Sequence, residues 1–249
     1  MEAMDLNKID LHSHVGNFAG WAGIKSDIDS IIKNMDDYQI ELTVLCSANE
    51  KTNDDTLKAF EKYPDRIFPA VYLNPLDGEK CIENLKYYVE EKGFKGIKLN
   101  PLKNAFVADD TIVDPIMEKA EEYGIPVFIH SGHPPYSLPW SIALLAERHP
   151  NVKTVMIHMG HGHGVYIDAA LKMARRYSNI YLEMSGMPMG CKIKEAYDTV
   201  GKERIMFGID SPFHHPSVEI QKVITSGLDQ KGIEDVFYNN AAKFLGINK

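Results

Sequence analysis

Cysteine is scarce: Cys46, Cys81 and Cys191 are the three in 249 residues, they lie far apart, and none is in CxxC spacing. That excludes a disulfide framework and a cysteine-bound zinc, and it fits thiols kept reduced in a cytosol. Clusters of Lys and Arg are missing too. With 27 basic against 35 acidic residues the formal net charge is −8. No concentrated basic patch is available to neutralise phosphates, so no nucleic-acid partner is expected. No apolar run approaches the roughly 18 residues of a membrane span, and the opening MEAMDLNK lacks the apolar stretch of a signal peptide. The expectation is a cytoplasmic protein with no membrane partner. Low-complexity segments and linkers are absent as well. A chain of 249 residues with 44% hydrophobic content can bury a large core, and one domain over residues 1–249 is the expected organisation.

What is present is a beat. Short apolar or β-branched runs begin near Ile9, Leu42, Ile67, Gly96, Pro126, Thr154, Ile180 and Ile205, at intervals of 33, 25, 29, 30, 28, 26 and 25 residues. Between them lie helix-spaced apolar residues preceded by Ser or Asp, such as Ile28, Ile31, Ile32 and Met35 after Ser26, and Ile116, Met117 and Ala120 after Asp109. Further sets are Leu57 with Phe60, Ile82 with Leu85 and Val89, Ile142 with Leu145, and Ile167 with Leu171 and Ala174. Strands alternating with helices imply a parallel sheet, and eight such units imply a (β/α)₈ barrel of the α/β class. An open doubly wound sheet is the alternative, but HVGNFAG after the first run lacks the Gly-x-Gly-x-x-Gly turn that such folds use for phosphates.

The chemistry lies at the ends of these runs. In IDLHSH, His12 and His14 are two apart, so strand alternation turns both imidazoles to the same side. His130 ends IPVFIH, His158 ends TVMIH and Asp210 ends IMFGID. Imidazole nitrogen and carboxylate oxygen are ligands for a borderline cation such as Zn²⁺, and the C-terminal strand ends are where a barrel of this type builds its active site. A single histidine of this kind is more often a core or loop residue. Five candidates at the right ends of four strands read as one metal centre.

The pieces DLHSHVG, GIKLNP, VFIHSG, MIHMGHG with IYLEMSG, and FGIDSPF resemble the amidohydrolase superfamily, specifically the amidohydrolase-related group that holds metal-dependent hydrolases and non-oxidative decarboxylases. The resemblance spans essentially the whole chain. It implies His12, His14, His130 and Asp210 as metal ligands, with His158 contacting substrate or holding a second metal. The implied cation is Zn²⁺, with Mn²⁺ or Fe²⁺ as alternatives; one per chain is favoured and two is the other reading. Lys98 decides between them. Alternation in GIKLNP turns Lys98 and Asn100 to one side, and binuclear relatives carry a carboxylated lysine at about this point. Lys98 could equally bind a substrate carboxylate or sit in a buried ion pair.

A cation held by neutral histidines and a carboxylate lowers the pKa of bound water to about 7. On the hydrolytic reading Asp210 is the catalytic base and His158 polarises the scissile carbonyl. Asp10 and Glu183 are candidates to support ligating imidazoles or to form an internal ion pair, and Asn100 and His161 are candidates to contact substrate. His163, His214 and His215 fall on mouth loops, His149 at a helix end, and Trp140, Tyr136 and Phe213 are candidate pocket walls. The leading expectation is hydrolysis of an amide, cyclic amide or lactone of a small polar molecule. Decarboxylation of a small aromatic or enolic acid at the same site is the alternative, and a non-catalytic binding barrel the third. The chain's short length favours hydrolysis, because decarboxylases of the group usually carry long insertions. Monomer and homo-oligomer are equally compatible with the sequence.

Overall fold

The computed structural model describes residues 5–18 and 23–247. Among these, nine strands form one sheet: β1 (Lys8–Phe18), β2 (Ile24–Ser26), β3 (Ile40–Ser47), β4 (Ile67–Leu73), β5 (Gly96–Leu99), β6 (Val127–His130), β7 (Thr154–Ile157), β8 (Ile180–Glu183) and β9 (Ile205–Met206). β1 and β3 to β9 pair in parallel and in chain order, while β2 is an antiparallel hairpin partner on the edge of β1. The sheet curls shut. Leu11 N donates to Phe207 O at 3.0 Å, Asp210 N to His12 O at 2.6 Å and His14 N to Ser211 O at 2.7 Å, joining the chain after β9 to β1. Eight parallel strands closed on themselves, each followed by helix, make the expected (β/α)₈ barrel.

Two apolar layers hold it. Ile97, Leu99, Val127, Ile129, Leu182 and Ile205 point outward to the buried faces of helices such as Asp114–Tyr123, Pro139–Arg148 and Gly164–Arg176. Inside the barrel, Ile9, Leu11, Val44, Phe68, Phe128 and Val155 form a second cluster, capped by Phe244 from the C-terminal helix Asn240–Leu245. The alternate residues of each strand thus separate a helix-facing layer from an interior layer, and polar residues occur in the interior only toward the C-terminal ends. Helix starts follow local capping: Asp27 Oδ1 accepts from Ser30 N at 2.9 Å to open Ile28–Asp37, and Asn100 Oδ1 accepts from Lys103 N at 3.1 Å to open the turn Pro101–Asn104.

Three features depart from the expected pattern. The β2 hairpin has no counterpart in the strand beat; it grows from the strand that carries the two histidines, and part of its connecting turn, including the end of HVGNFAG, lies outside the described residues. β9 is only two residues long, so Asp210 stands four residues beyond it on an extended segment tied to β1. Lastly, β1 is bulged: Asp10 pairs with Thr43 and Ser13 with Leu45, so Leu11 and His12 together oppose the single residue Val44. A bulge re-aims side chains, and here it takes Asp10 out of the alternation that His12 and His14 share.

The loops after β6 and β7 pack backbone on backbone. Gly132 and Gly160 both have positive φ, +93° and +92°; a Cβ on Gly132 would come 2.3 Å from Gly160 O, and one on Gly160 would come 2.3 Å from Tyr166 O. Neither carbonyl belongs to a flexible side chain, so Gly160→Ala should cost at least about 2 kcal/mol, through a disallowed backbone conformation and a clash that only loop displacement can relieve. Urea unfolding of the variant measures this; a loss under about 0.5 kcal/mol would show that the loops are not fixed by this contact.

Candidate metal centre

His12 Nε2, His14 Nε2 and Asp210 Oδ1 converge. The separations are 3.2 Å between the two imidazole nitrogens, 3.2 Å from His12 to the carboxylate and 3.3 Å from His14 to it. Without protons three such atoms repel; the proton that His14 keeps up to about pH 9 lies among them toward Asp210, and a bound cation would take its place. Metal–ligand bonds of about 2.0–2.1 Å at tetrahedral angles put neighbouring donors about 3.3 Å apart, so the triangle fits a small divalent cation. His158 faces it from β7, with Nε2 3.9 Å from Asp210 Oδ2, and the donor atoms of His12, His158 and Asp210 lie within 4.8 Å of one another. Another such group joins His12 and His14 to Cys46.

Each donor is oriented from behind. His14 Nδ1 lies 3.1 Å from Cys46 Sγ and 3.4 Å from Ser47 O, an acceptor for a ring proton on Nδ1; loss of the second ring proton, which Cys46 and Asp210 hold up to about 9, frees Nε2 as a ligand. His158 Nδ1 donates to Ser185 O at 2.8 Å, which likewise bares Nε2. Glu183 holds the backbone behind it: Oε2 accepts from His158 N at 3.1 Å and Ser185 Oγ at 2.8 Å, and Oε1 from Ser185 N at 2.5 Å. Asp10 accepts from Ser13 Oγ and Thr43 Oγ1, both at 2.6 Å, from His12 N at 3.0 Å and from Ile209 N at 2.8 Å, so it clamps β1 to the segment before Asp210. Both carboxylates therefore support the site through backbone and hydroxyl groups. Among the described residues neither accepts from an imidazole ring, one of the two roles the sequence reading offered them, and neither stands in an ion pair, the other. His158, His161 and Asp210 all have positive φ, at 69°, 58° and 61°, a conformation non-glycine residues adopt only where their surroundings enforce it.

Burial sets the charge states. It disfavours the imidazolium of His12 and His130, lowering both well below the usual histidine range, and takes His158 to about 3. His14 is the exception at about 9: burial lowers it, but Cys46 and Asp210 raise it more. Burial also opposes ionisation of Asp210, yet His12, His14 and His158 outweigh it and hold the carboxyl well below its ordinary value. Burial raises Glu183 to about 8 and Asp10 to about 6.

A cavity of about 550 Å³ opens above the triangle. His130, His158 and His161 line one side of it and Lys103, Phe213 and His214 are among the rest, with Asp210 the one carboxylate in the wall. Some expected residues stand elsewhere. His130 Nε2 is 2.9 Å from His133 Nδ1, and His130 belongs to neither tight donor group, although its ring centre is 4.8 Å from that of His158. Lys98 is fully buried below the mouth, its Nζ 3.3 Å from His12 Nε2, and burial lowers its pKa. Asn100 caps its turn and also lines the cavity. His163 and His215 precede helices, His149 bonds Asp114 at 2.8 Å, and Trp140 is 40% exposed, so none of these faces the cavity. Sequence reading missed His133 and Lys103. His133 repeats the ligand type three residues after His130, a spacing that could have flagged it; nothing in the sequence marks Lys103.

Comparison with known proteins adds kinship. A curated relative, 2-amino-3-carboxymuconate-6-semialdehyde decarboxylase of Dictyostelium discoideum, is 24% identical over 235 residues, covering 79% of this chain and 66% of its own length. The fold is shared with 2,6-dihydroxybenzoate decarboxylase from Rhizobium, at 18% identity and a TM-score of 0.77 over 98% of this chain and 100% of that one. It is shared equally with dihydroxybenzoic acid decarboxylase from Polaromonas sp. JS666, solved with manganese and 2-nitroresorcinol, at 18% identity and a TM-score of 0.77 over 98% of each chain. A family model described as amidohydrolase matches residues 41–247, from β3 to the last helix. The chain belongs to the amidohydrolase family.

Proposed function

We propose that the protein is a divalent-metal-dependent, non-oxidative decarboxylase of a small aromatic or enolic acid, with His12, His14 and Asp210 holding one cation per chain. The observation that carries this is the triangle of donor atoms at 3.2–3.3 Å on the floor of a cavity whose wall offers imidazoles, an ammonium and a single carboxylate. Such a wall receives an anion. The volume of about 550 Å³ suits a compact ring or short chain. The curated relative, aligned over 79% of this chain, and several structures that share the fold over 98% of it are named as decarboxylases, beside one over 97% named as a putative amidohydrolase, and this balance favours decarboxylation over the hydrolysis that chain length suggested. Length does not separate the two chemistries, since those decarboxylases share the barrel across 98% of this chain.

A bound cation of the Mn²⁺ or Zn²⁺ class would supply Lewis-acid binding of the substrate's carboxylate and neighbouring oxygen. The protein's own groups handle the proton. Loss of CO₂ leaves the electron pair of the broken C–C bond on the substrate carbon, and that carbon takes up one proton. That proton is drawn from solvent and passes by way of Asp210 Oδ2 and His158 Nε2, 3.9 Å apart at the cavity floor; with His158 at about 3 and Asp210 well below its ordinary value, the two relay the proton and do not store it. His158 is suited to it because Ser185 O fixes its tautomer. Phe213 and Leu102 give the substrate apolar contact, and His130, paired with His133, borders the site on the β6 side.

Three outcomes test this. Protein purified without chelator and incubated with Mn²⁺ or Zn²⁺ should hold about one equivalent by elemental analysis. His12→Ala and His14→Ala should each lose it, because removing one of about four ligands leaves an incomplete shell; retention in both variants contradicts the assignment. Lys98→Ala should leave the stoichiometry at one, whereas a bicarbonate-dependent second equivalent that vanishes in the variant would establish a two-metal site.

The loaded enzyme should release CO₂ from a hydroxylated benzoic or enolic acid, with Asp210→Asn keeping most of its metal while kcat falls by about 10²–10⁴-fold, the usual worth of a positioned proton donor or acceptor. Ester, lactone or amide cleavage without any CO₂-releasing substrate would replace decarboxylation by hydrolysis.

A further inference from the structure

The cavity holds a cation that the chemistry proposed above does not use. Lys103 lies on the turn Pro101–Asn104 that follows β5, and it lines the same cavity as His14, Phe213 and Asp210. Its ammonium is folded inward. Nζ donates to Ala48 O and stands 5.6 Å from the centre of the Phe18 ring and 5.9 Å from that of Tyr72, both buried side chains. Aromatic faces attract an ammonium but accept little hydrogen bonding, so of its three N–H donors one has a firm acceptor. Among the described residues no carboxylate lies within 4 Å of it. Glu50, whose charge reaches it, instead accepts from Asn104 Nδ2 at 3.3 Å.

A lysine on the surface is normally surrounded by water or an acidic partner. Lys103 as a whole is exposed, yet its ammonium is drawn against two buried rings at the edge of the cavity, where partial desolvation lowers its pKa and its remaining N–H donors face the water of the cavity. An anion arriving in the cavity would take the place of that water. Phe18, behind the cavity wall, sits edge-on to His14 at 5.8 Å and to Phe213 at 5.1 Å, so it ties Lys103 to two residues that line the cavity beside the donor triangle. The carboxylate that leaves as CO₂ is assigned to the triangle. A group that meets Lys103 must therefore be a second one.

We infer that Lys103 is a specificity-determining residue that binds a second carboxylate on the substrate, making the preferred substrate a planar unsaturated or aromatic dicarboxylic acid. The inference rests on the decarboxylase reading for the fate of the first carboxylate, but its binding half can be tested without turnover. Phe213, backed by Phe18, and Leu102 supply the apolar contact for the ring or conjugated chain between the two acids. The Lys103 contact is made equally in ground and transition states, so it acts on binding and on KM rather than on kcat.

The probes are benzoate and isophthalate, the same ring with one and with two carboxylates, titrated calorimetrically into the Mn²⁺-loaded full-length protein. Wild type should bind isophthalate at least about tenfold more tightly than benzoate, the scale of one hydrogen-bonded charge pair. In Lys103→Met that ratio should fall to about one, and in Lys103→Arg most of it should remain. Metal content and thermal unfolding of both variants report whether the barrel is intact. A wild-type ratio near one, or a ratio unchanged in a correctly folded Lys103→Met, overturns the inference. If Lys103→Met does not fold, Lys103→Arg and Lys103→Gln carry the comparison, and equal ratios in those two also overturn it. CO₂ release is assayed separately. Its absence from every acid tried defeats the decarboxylase reading while leaving the binding ratio to decide the role of Lys103.

Discussion

Electrostatic frustration at one point governs the top of this barrel. Two imidazole nitrogens and a carboxylate oxygen are aimed at each other at 3.2–3.3 Å, which their lone pairs alone disfavour and which a ring proton on His14 or a cation among them offsets. The surrounding structure has to impose it. Asp10 does so with four accepted hydrogen bonds that tie β1 to the segment leading to Asp210, and Glu183 does so with the backbone on either side of the β7 and β8 ends. The positive φ of Asp210 and His158 is the local strain this produces. A cation among the donors converts the repulsion into bonding, so the energetic logic of the site points to the group that would relieve it.

Much of this was legible in the sequence, for identifiable reasons. The strand beat worked because buried parallel strands are short apolar runs, and each predicted start, from Ile9 to Ile205, falls within two residues of an observed one. His12 and His14 were readable as a pair because alternation relates residues two apart. That alternation does not extend back to Asp10, since a bulge at Leu11 and His12 breaks the period and only the pairing register reveals it. Lys98 was correctly turned inward, but depth is not encoded in alternation, and the lysine sits beside His12 below the mouth. His133 and Lys103 escaped notice because loop residues carry no periodicity to say where they point, whereas His214, expected on a mouth loop, does line the cavity. The preference for hydrolysis rested on chain length, which measures loop insertions and says nothing about the chemistry of the floor.

Function in this fold is divided by depth. The floor, built from strand ends and clamped by buried carboxylates, fixes the donors and sets His158 beside Asp210. The wall above it comes from loops and single turns: Lys103 from the turn after β5, His133 and His161 from the loops after β6 and β7, Phe213 and His214 from the segment after β9. Rigid elements set the reaction and variable ones set what enters, so the floor can be common to a family while the wall distinguishes its members.

The central claim is that a single divalent cation sits where His12, His14 and Asp210 meet. Anomalous scattering from crystals of the Mn²⁺-loaded protein, collected at the manganese edge, locates it without reference to activity. The account predicts one strong peak per chain within about 2.0–2.3 Å of His12 Nε2, His14 Nε2 and an Asp210 oxygen, distances at which these ligand types bind such ions. A peak lodged instead among His130, His133 and His161, or no peak at the triangle under saturating metal, would contradict it.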